Sequence, residues 1–528
     1  MTLVSTDRPR WISVAPALGI IGVIIVMLFA VANLPWTLDD YDQAKQAFIS
    51  YQMVEQQRWL FQTTPTEGLA VSGEKHTRFH ISSKPPGVGW VSTALYVITR
   101  SWDLAWRLPS FIAALALAAL IFRTAKNAFG DFVAMIALAA FGFNMLSARL
   151  ATLVRTDMPL ALATFAAGAL MFEKVRTGQT WTTRDRVTLF VFLVAAMFIK
   201  GPIVWAFLLP PLLIYSFCRR WRNDLPSAWS GWWPWLASFL IFLAWVVSGI
   251  LLIPGFYHDV VQIEFAARFH EGIHRSQPLL FYIPHLLEKF APWSLAMIIL
   301  AIAATRGRWQ RLTQRSQTSP ELLWLISWAL GGILIMSLIP SKRVDRIFPA
   351  IPPLCLLLAA QVKSLVPTTG ARPWLRRVLA ILIVLSGVFM AGYTATRIVH
   401  GYRTDRDVLD KFGSQVRQVA RSEGWRYEIL RSPDEGLLLY LQRPRFVTFG
   451  QVSELWRSGV INSLVTRRSD IGELAQLPGL VLPPRLEAAK KNEPATAYVF
   501  VTRSGSASGT SVPLPGPGSS AGISLILP

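Results

Sequence analysis

Residues 12–46 read ISVAPALGIIGVIIVMLFAVANLPWTLDDYDQAKQ, and this stretch decides the class of protein. The part before residue 35 carries no charged side chain, and a helix of about twenty apolar residues can cross the hydrocarbon core of a bilayer. No small-residue cleavage site follows it, so we interpret it as an anchor and not as a cleaved signal. Three carboxylates, Asp39, Asp40 and Asp42, come directly afterwards. A dense acidic cluster therefore follows the C-terminal end of the first predicted membrane segment.

The composition of the whole chain extends this interpretation. Of its 528 residues, 52% are hydrophobic and 16% are charged, and the mean hydropathy is +0.40. A soluble chain carries about 25% charged residues. Cys218 and Cys355 both lie in apolar segments, so no disulfide framework is predicted. We predict a polytopic α-helical membrane protein of eleven spans, or up to thirteen, at residues 12–34, 108–122, 130–147, 158–172, 187–199, 202–218, 232–253, 279–303, 322–339, 347–362 and 375–396.

Basic residues predict the orientation of these spans. The net charge of +21 is spread through alternate loops, such as 123–126 and 219–222, and no basic domain with interleaved aromatic residues indicates nucleic-acid binding. Basic loops that are nearly free of acids are typical of the cytoplasmic side. The alternation requires that residues 86–99 form an interfacial or re-entrant helix. We expect a bacterial inner-membrane protein with a cytoplasmic N-terminus. The outer face then collects the acidic cluster and a set of ionisable residues: Lys84, Arg107, Arg149, Arg155, Asp157, Lys200 and the stretch 341–346.

Two domains are predicted. Residues 1–399 form the membrane domain, with outward-facing loops at 35–107 and 254–277. Residues 400–528 form a small soluble α/β domain outside the cytoplasm. It begins with a helix whose apolar positions run from Val408 to Val419, and it continues with the β-rich runs YEIL, GLLLYL, RFVTFG and AYVFV. The Gly/Ser/Pro-rich residues 503–522 are predicted to be a disordered loop.

One short motif favours a different function. Residues 270–274 read HEGIH, which matches the H-E-x-x-H pattern of zinc proteases. On a helix, His270 and His274 would share one face and could bind zinc, with Glu271 as base. The pattern fixes three residues only, and Gly272 weakens a helix, so a zinc protease is a weak alternative at this point.

Several short stretches of the sequence, taken in order, resemble the motifs of one known family. DQAKQAFISYQMVEQQRWL (42–60), SKPPGVGW (83–90), RLPS (107–110), TDMPLA (156–161) and IKGP (199–202) occur in this order. EFAARF (264–269), HRSQPLLFYIP (274–284) and SKRVDRIFPAIPPL (341–354) follow. Over about residues 30–360 the chain resembles the polyprenyl-phosphate-dependent glycosyltransferases of the protein mannosyltransferase and lipid A aminoarabinose transferase family. Gln43, Gln46 and Arg346 depart from this pattern, which has Glu, Tyr and Tyr at these positions.

The resemblance implies a C-type glycosyltransferase fold and an inverting transfer. A sugar would move from a polyprenyl-phosphate donor to a lipid, glycan or protein acceptor on the outer face. Asp42 takes the position of the family's catalytic aspartate, as base for an acceptor hydroxyl, and Asp157 would position the acceptor or hold a divalent metal. No cofactor is certain. Cations would offset the charge of the leaving lipid phosphate. The residues implied in substrate binding are Lys84, Lys200, Glu264, Arg268, His274, Arg275, Lys342 and Arg346.

Simpler interpretations exist for several of these residues. Asp39, Asp40 or Asp157 could cap a helix, and Glu264 and Arg268 could form an ordinary ion pair four positions apart. Lys200 could extend to the membrane interface. A transporter or flippase for a lipid-linked sugar is the alternative function, and a zinc metalloprotease is a weaker one. A transporter does not need acids and cations gathered on one face, and we find no internal repeat that would indicate one.

Overall fold

The structure is a computed structural model that describes residues 14–38, 41–63, 81–82, 84–266, 276–309, 319–365, 373–432, 434–490 and 493–504. The chain divides into two compact units, Met1–Asp407 and Val408–Pro528. The boundary predicted at residue 399 falls inside a helix that ends at Arg403. The loop predicted at 503–522 lies almost entirely outside the described residues.

The described part of the first unit is mainly helical, with one isolated β-bridge between Thr63 and Ile81. Its α-helices are α1 Val14–Val31, α2 Tyr41–Glu55, α3 Gly87–Thr99, α4 Trp102–Phe129, α5 Asp131–Gly142, α6 Met145–Leu150, α7 Asp157–Thr177, α8 Thr183–Lys200, α9 Val204–Trp221, α10 Trp233–Leu252, α11 Tyr282–Lys289, α12 Trp293–Trp309, α13 Pro320–Leu338, α14 Ile351–Leu365 and α15 Pro373–Arg403. A π-helix spans Tyr257–Phe265, and 3-10 helices span Gly201–Ile203 and Val344–Ala350.

Seven helical runs among the described residues are long and apolar enough to cross a membrane, or eight if the bent pair α11–α12 counts as one span. The predicted helical membrane architecture is therefore confirmed, whereas the number of eleven spans stays a prediction. The structure has a 16-residue apolar stretch of α1, a 13-residue α3 and a 12-residue α5, which are shorter than a typical span. The interfacial or re-entrant placement of residues 86–99 stays a prediction.

The run Thr183–Trp221 contains two spans that meet at Gly201. Its 39 residues would measure about 58 Å if straight, about twice the hydrocarbon core. Lys200 at the end of α8 contacts Asp157 at the start of α7, whereas Asp185 at the start of α8 contacts Lys174 near the end of α7. α9 runs antiparallel to α13, since Phe207 meets Gly332 and Tyr215 meets Trp324. Because α13 begins near the end of α7, where Glu321 acts on Arg176, the chain reverses direction after Lys200. Gly201 has φ 75°, which favours glycine at the reversal.

Small residues let the helices of the membrane unit approach closely. Gly168 of α7 packs against Trp328 of α13, and a Cβ there would lie 2.1 Å from the indole. Phe165 stacks on the same indole with ring centroids 5.2 Å apart. Small residues at helix interfaces are what membrane helix packing requires, because lipid offers no hydrophobic driving force.

The same packing holds α2 in place. Gly89 of α3 leaves room for Ile49 and Met53 of α2. From α4, the indole Nε1 of Trp106 donates to Ser50 Oγ at 3.1 Å. These contacts hold the middle of α2 against α3 and α4, and Asp42 lies in the first turn of the same helix.

The second unit is a small α/β domain, as predicted. Its helices are α16 Val408–Ser422, α17 Glu435–Leu441, α18 Phe449–Arg457 and α19 Ile471–Leu474, with a 3-10 turn at Arg468–Asp470. Its strands are β1 Tyr427–Ile429, β2 Ser463–Arg467, β3 Leu480–Lys490 and β4 Glu493–Arg503. They form one sheet in the order β1-β2-β4-β3, in which β1 and β2 are parallel and the other pairs antiparallel.

Two of the four predicted β-rich runs are strands. YEIL contains β1 and AYVFV lies in β4. The prediction for GLLLYL is wrong, because this run is the helix α17, buried on all sides. In RFVTFG only Val447 makes an isolated bridge, with Leu430, before α18 begins.

Candidate functional site

Asp42 lies at the centre of a group of cations. It occupies the first turn of α2, where Oδ2 accepts a hydrogen bond of 2.5 Å from Nη1 of Arg343. Nη2 of Arg155 lies 3.7 Å from the same oxygen. Arg343 directly precedes the 3-10 helix Val344–Ala350, and Arg155 directly precedes Thr156, the N-cap residue of α7. Three distant parts of the chain therefore meet at one carboxylate.

The charges change the acidity of the groups in this cluster. Burial alone would raise the pKa of Asp42, but the charges of Lys84, Arg343 and Arg155 outweigh it and hold the pKa at about 2. Burial lowers the pKa of Lys84 to about 8, although the charge of Asp42 acts in the opposite direction. Asp42 is therefore an anion throughout the physiological range, and Lys84 is a cation that can lose its proton just above that range.

Asp345 continues the network away from Asp42. Its Oδ2 accepts a hydrogen bond of 2.6 Å from Nη1 of Arg155, and its Oδ1 lies 3.9 Å from Nη1 of Arg149. The side chains of Arg155 and Asp345 are only 6% and 9% exposed. Asp42, Arg155, Asp345 and Arg149 thus form a row of alternating charges, which we call the charge row.

Asp157 and Lys200 form a second ion pair. Lys200 Nζ donates to Asp157 Oδ1, and the side chain of Asp157 is 6% exposed. The backbone of Thr156 provides the N-cap of α7, and Asp157 occupies the first helical turn without capping the helix. Asp157 and Lys200 both act electrostatically on Lys84, so this pair belongs to the same cluster as Asp42.

Lys342 and Arg346, which were also predicted to bind substrate, differ in their contacts. Lys342 donates to the carbonyl oxygen of Gln277 at 2.9 Å, so it fastens the chain before α11. Arg346 donates to the carbonyl and hydroxyl oxygens of Ser341 at 2.5 and 3.1 Å, and it acts electrostatically with Asp42 and Asp157. Arg346 thus belongs to the cluster, whereas the described contact of Lys342 is structural.

Several predictions fall outside the described residues. These residues are Asp39, Asp40, Arg268, His274, Arg275 and the rest of HEGIH. Glu264 lies in the π-helix, and its side chain is not described. Among the described residues, no three His, Cys, Asp or Glu side chains come together as a metal site.

Sequence reasoning missed the roles of three residues in this cluster. Arg155, Arg343 and Asp345 contact Asp42 or each other, but none was a site candidate. The sequence placed Arg155 on the same predicted face as Asp42, and Arg343 and Asp345 lie in the stretch 341–346 that was placed there too. The sequence feature that could have identified Arg343 and Asp345 is the alternation of charges in SKRVDR, next to a predicted span.

Comparisons with known proteins bear on this geometry. The sequence model of a family described as Dolichyl-phosphate-mannose-protein mannosyltransferase matches residues 83–251. The crystal structure of ArnT from Cupriavidus metallidurans bound to undecaprenyl phosphate superimposes with a TM-score of 0.68 at 17% identity. The superposition covers 94% of this chain and 99% of that one.

The chain has the C-type glycosyltransferase fold. The archaeal oligosaccharyltransferase AglB from Archaeoglobus fulgidus has a TM-score of 0.50 at 10% identity, and the match covers 87% of this chain and 70% of that one. The fold prediction and the resemblance to the protein mannosyltransferase and lipid A aminoarabinose transferase family are confirmed, and the chain is an integral membrane protein.

The curated relatives match a part of the chain. An undecaprenyl phosphate-alpha-4-amino-4-deoxy-L-arabinose arabinosyl transferase from Serratia proteamaculans is 27% identical over 155 residues, which is 29% of this chain and 26% of that protein. A similar transferase from Yersinia pestis is 28% identical over 197 residues, which is 36% of this chain and 33% of that protein. The aligned segments thus span about a quarter to a third of these relatives. None of the relatives named here is a transporter or a protease.

Proposed function

We propose that this protein is an inverting glycosyltransferase that uses a polyprenyl-phosphate sugar as donor. The observation that carries the proposal is the position of Asp42 among Arg343, Arg155 and Lys84. The reaction needs a carboxylate beside the attacking oxygen and cations beside the departing phosphate. The fold and the relatives support the same conclusion.

The reaction would proceed as one displacement. The acceptor oxygen forms a bond to C1 of the sugar while the bond from C1 to the phosphate oxygen breaks, and the lipid phosphate leaves with the electron pair. A hydroxyl acceptor gives its proton to Asp42. Lys84, Lys200 and Arg346 offset the charge of the departing phosphate, since cationic hydrogen bonds to oxyanions are strong.

The low pKa of Asp42 limits when it can act as a base. A carboxylate with a pKa of about 2 accepts a proton poorly. A donor phosphate bound to the same cations would neutralise part of their field and raise the pKa of Asp42. Asp42 would therefore become an effective base only after the donor has bound. An acceptor phosphate would be anionic already, and Asp42 would then orient the cations.

We also propose identities for the donor and the acceptor. The names of the curated relatives support undecaprenyl phosphate as the lipid and a 4-amino pentose as the sugar, with a hexose as the alternative. The acceptor would be a lipid, glycan or protein of the cell envelope. We propose that the protein lies in the inner membrane with a cytoplasmic N-terminus, and that the cluster and the second unit lie outside the cytoplasm.

We propose that the protein's own cations, and not a metal ion, offset the phosphate charge. The Asp157 carboxylate, which could have held a metal, already accepts a hydrogen bond from Lys200. Removal of divalent metals with EDTA should therefore change transfer less than about threefold, far below the loss expected when a charge-stabilising group is removed. A larger loss that Mg²⁺ or Mn²⁺ restores would contradict this.

The experiment combines purified protein with a labelled donor. Undecaprenyl phosphate carrying a labelled 4-amino pentose, or a labelled hexose, is mixed with the protein and with membranes from a strain that lacks it. Wild-type protein should move the label to an envelope component that mass spectrometry identifies, and Asp42→Asn should not. If the labelled lipid crosses vesicle membranes in a protein-dependent way while no label is transferred, the protein is a flippase and the proposal is wrong.

A further inference from the structure

Gln46 carries a buried amide that has no hydrogen-bond partner among the described residues. Its side chain belongs to a residue that is 2% exposed, and neither Nε2 nor Oε1 makes a hydrogen bond within the part of the chain that the structure describes. An amide that is removed from water without a new partner costs free energy, so buried polar groups are nearly always paired. An exception beside a reaction site therefore points to a bound molecule that supplies the missing partners.

The other buried glutamines of α2 show that this helix otherwise pairs its amides. Gln43 and Gln52 are 4% and 1% exposed. Oε1 of Gln43 accepts a hydrogen bond of 3.3 Å from the backbone N–H of Val154. Oε1 of Gln52 accepts one of 2.8 Å from the backbone N–H of Thr63, and its Nε2 donates to Thr63 Oγ1 at 3.1 Å. Among the three glutamines of α2, only Gln46 has no such contact with a described residue.

The position of Gln46 on α2 directs its amide towards the reacting groups. Gln46 lies four residues after Asp42, and residues four apart share one face of a helix. Side chains of an α-helix lean towards its N-terminus, so Gln46 leans towards the turn that contains Asp42. On the following turns of this face, Ile49 and Met53 pack against Gly89 of α3. Gln46 therefore lies between Asp42 and the contact with α3.

Lys84 relates this face of α2 to the donor. Its charge acts on Asp42, and it lies three residues before α3 begins at Gly87. In the proposed reaction Lys84 binds the phosphate of the donor, and the transferred sugar is attached directly to that phosphate. The sugar then lies next to the face of α2 that carries Asp42 and Gln46.

We propose that Gln46 binds two neighbouring hydroxyl groups of the transferred sugar and contributes to donor specificity. The inference rests on the proposed function. Nε2 donates to one hydroxyl oxygen, and Oε1 accepts a hydrogen bond from the other hydroxyl. An ionised phosphate offers acceptors only and an ammonium group donors only, so either would leave half of the amide unpaired. The family pattern has Tyr at this position, which makes the contact a property of this chain.

The first test separates this role from a structural one by its effect on stability. Gln46→Met keeps a side chain of similar length but removes the amide. Because no hydrogen bond to a described residue is lost and an unpaired polar group is removed, its melting temperature should equal or exceed that of wild type. A glutamine that supports the fold gives the opposite result.

Tyr215→Phe is the matched control. Tyr215 is 0% exposed, and its hydroxyl group also has no hydrogen-bond partner in the described part of the chain. It lies eleven residues after Val204, about 16 Å along the axis of α9. Tyr215→Phe removes a buried unpaired group far from Asp42, so it should leave transfer unchanged.

The second test identifies the contacted group with the full-length protein in maltoside micelles. Transfer is measured with the labelled pentose or hexose donor that wild type uses, and with its 2-deoxy and 3-deoxy analogues. With the intact donor, Gln46→Met should lower kcat/KM by about 5- to 140-fold, since a buried hydrogen-bonding group left unpaired costs about 1–3 kcal/mol. With the analogue that lacks a contacted hydroxyl, the two proteins should differ by less than about threefold, because the contact is already lost. Undecaprenyl phosphate without a sugar should bind both proteins equally.

Three results would overturn the proposal: an unchanged rate of Gln46→Met with the intact donor, the same loss of rate with every analogue, or a lower melting temperature than wild type. The second result would assign Gln46 to the acceptor or to packing. If wild-type protein transfers neither the pentose nor the hexose, the proposed function fails. If wild type is active and the losses do not depend on the hydroxyl groups, only the role of Gln46 fails.

Discussion

Nη1 of Arg343 lies 2.5 Å from Oδ2 of Asp42, although 301 positions separate the two residues in the sequence. The contact joins the first turn of α2 to the segment that follows α13. Arg155 reaches the same oxygen from the segment before α7. A carboxylate shared by two guanidinium groups is strongly acidic, so Asp42 is an anion in the resting protein.

Asp42→Asn should abolish most of the transfer activity. Loss of a general base costs about 10²- to 10⁴-fold in rate, and asparagine keeps the size of the side chain. Asp131→Asn is a matched control, because Asp131 is 51% exposed and forms an ion pair with Lys126 at 2.9 Å. The measurement is the transfer rate of each purified variant relative to wild type. If Asp42→Asn keeps more than about a tenth of the wild-type rate, Asp42 is not the base.

Asp345→Asn should destabilise the protein. It removes the negative charge that Arg155, which is 6% exposed, contacts at 2.6 Å, while the contact with Asp42 at 3.7 Å remains. Removing one member of a buried ion pair costs up to about 3–5 kcal/mol. The exposed pair that Asp131→Asn breaks contributes about 1 kcal/mol or less. Thermal unfolding of both variants in the same detergent provides the comparison. Equal melting temperatures would mean that Arg155 does not depend on Asp345.

Donor binding should weaken at alkaline pH. The lipid phosphate favours charged Lys84, whose pKa is about 8 in the unliganded protein. Affinity for undecaprenyl phosphate, which carries the donor's lipid phosphate, should therefore be nearly constant near pH 7, halve at the pKa of Lys84 and fall by about tenfold per unit well above it, because binding then requires uptake of a proton. Lys84→Arg should remove this decline, since arginine stays charged. A decline of the same size in Lys84→Arg would assign it to another group.

Gly168→Ala should destabilise the membrane unit. The new methyl group would lie 2.1 Å from the Trp328 indole, and overpacking of this kind costs about 1–3 kcal/mol. Gly22→Ala in α1 is the control, because no heavy atom lies within 4 Å of its built Cβ. Melting temperatures should fall for Gly168→Ala and stay the same or rise for Gly22→Ala. The opposite order would contradict the close packing of α7 on α13.

Cysteine labelling in intact cells should report the orientation. In a Cys218→Ser background, Gln57→Cys and Ser458→Cys should react with a membrane-impermeant maleimide, whereas Gln179→Cys between α7 and α8 should not. All three positions are exposed, so access depends on the side of the membrane. If only Gln179→Cys reacts, the orientation in the membrane is the opposite of the one proposed.

The sequence predicts the membrane helices well because an apolar run of sufficient length has few alternatives in a bilayer. It fails for GLLLYL, since a short apolar run buried on all sides has no periodicity that separates a helix from a strand. β2 was missed because its ladder partners β1 and β4 are distant in sequence, whereas β3 was missed although it pairs with β4, the strand that directly follows it.

The site was predicted in part. Asp42, Asp157, Lys84 and Lys200 follow from local motifs and come together in the structure. The contacts of Arg343 and Asp345 depend on how a 3-10 helix docks beside α7, which no local pattern contains. Lys342 and Arg343 are adjacent and equally charged, and only the tertiary structure distinguishes the one that meets Asp42 from the one that bonds to Gln277.

The charge row also acts as a filter for anions. Its two carboxylates and two guanidinium groups neutralise one another in the resting protein, so an incoming anion must compete with a carboxylate that is already in place. Chloride and other weakly interacting monovalent ions are poor competitors, whereas a phosphate can bind an arginine through two oxygens. If the proposed function holds, the resting protein would therefore stay unoccupied in a salt-rich medium and remain available to the lipid phosphate of its donor.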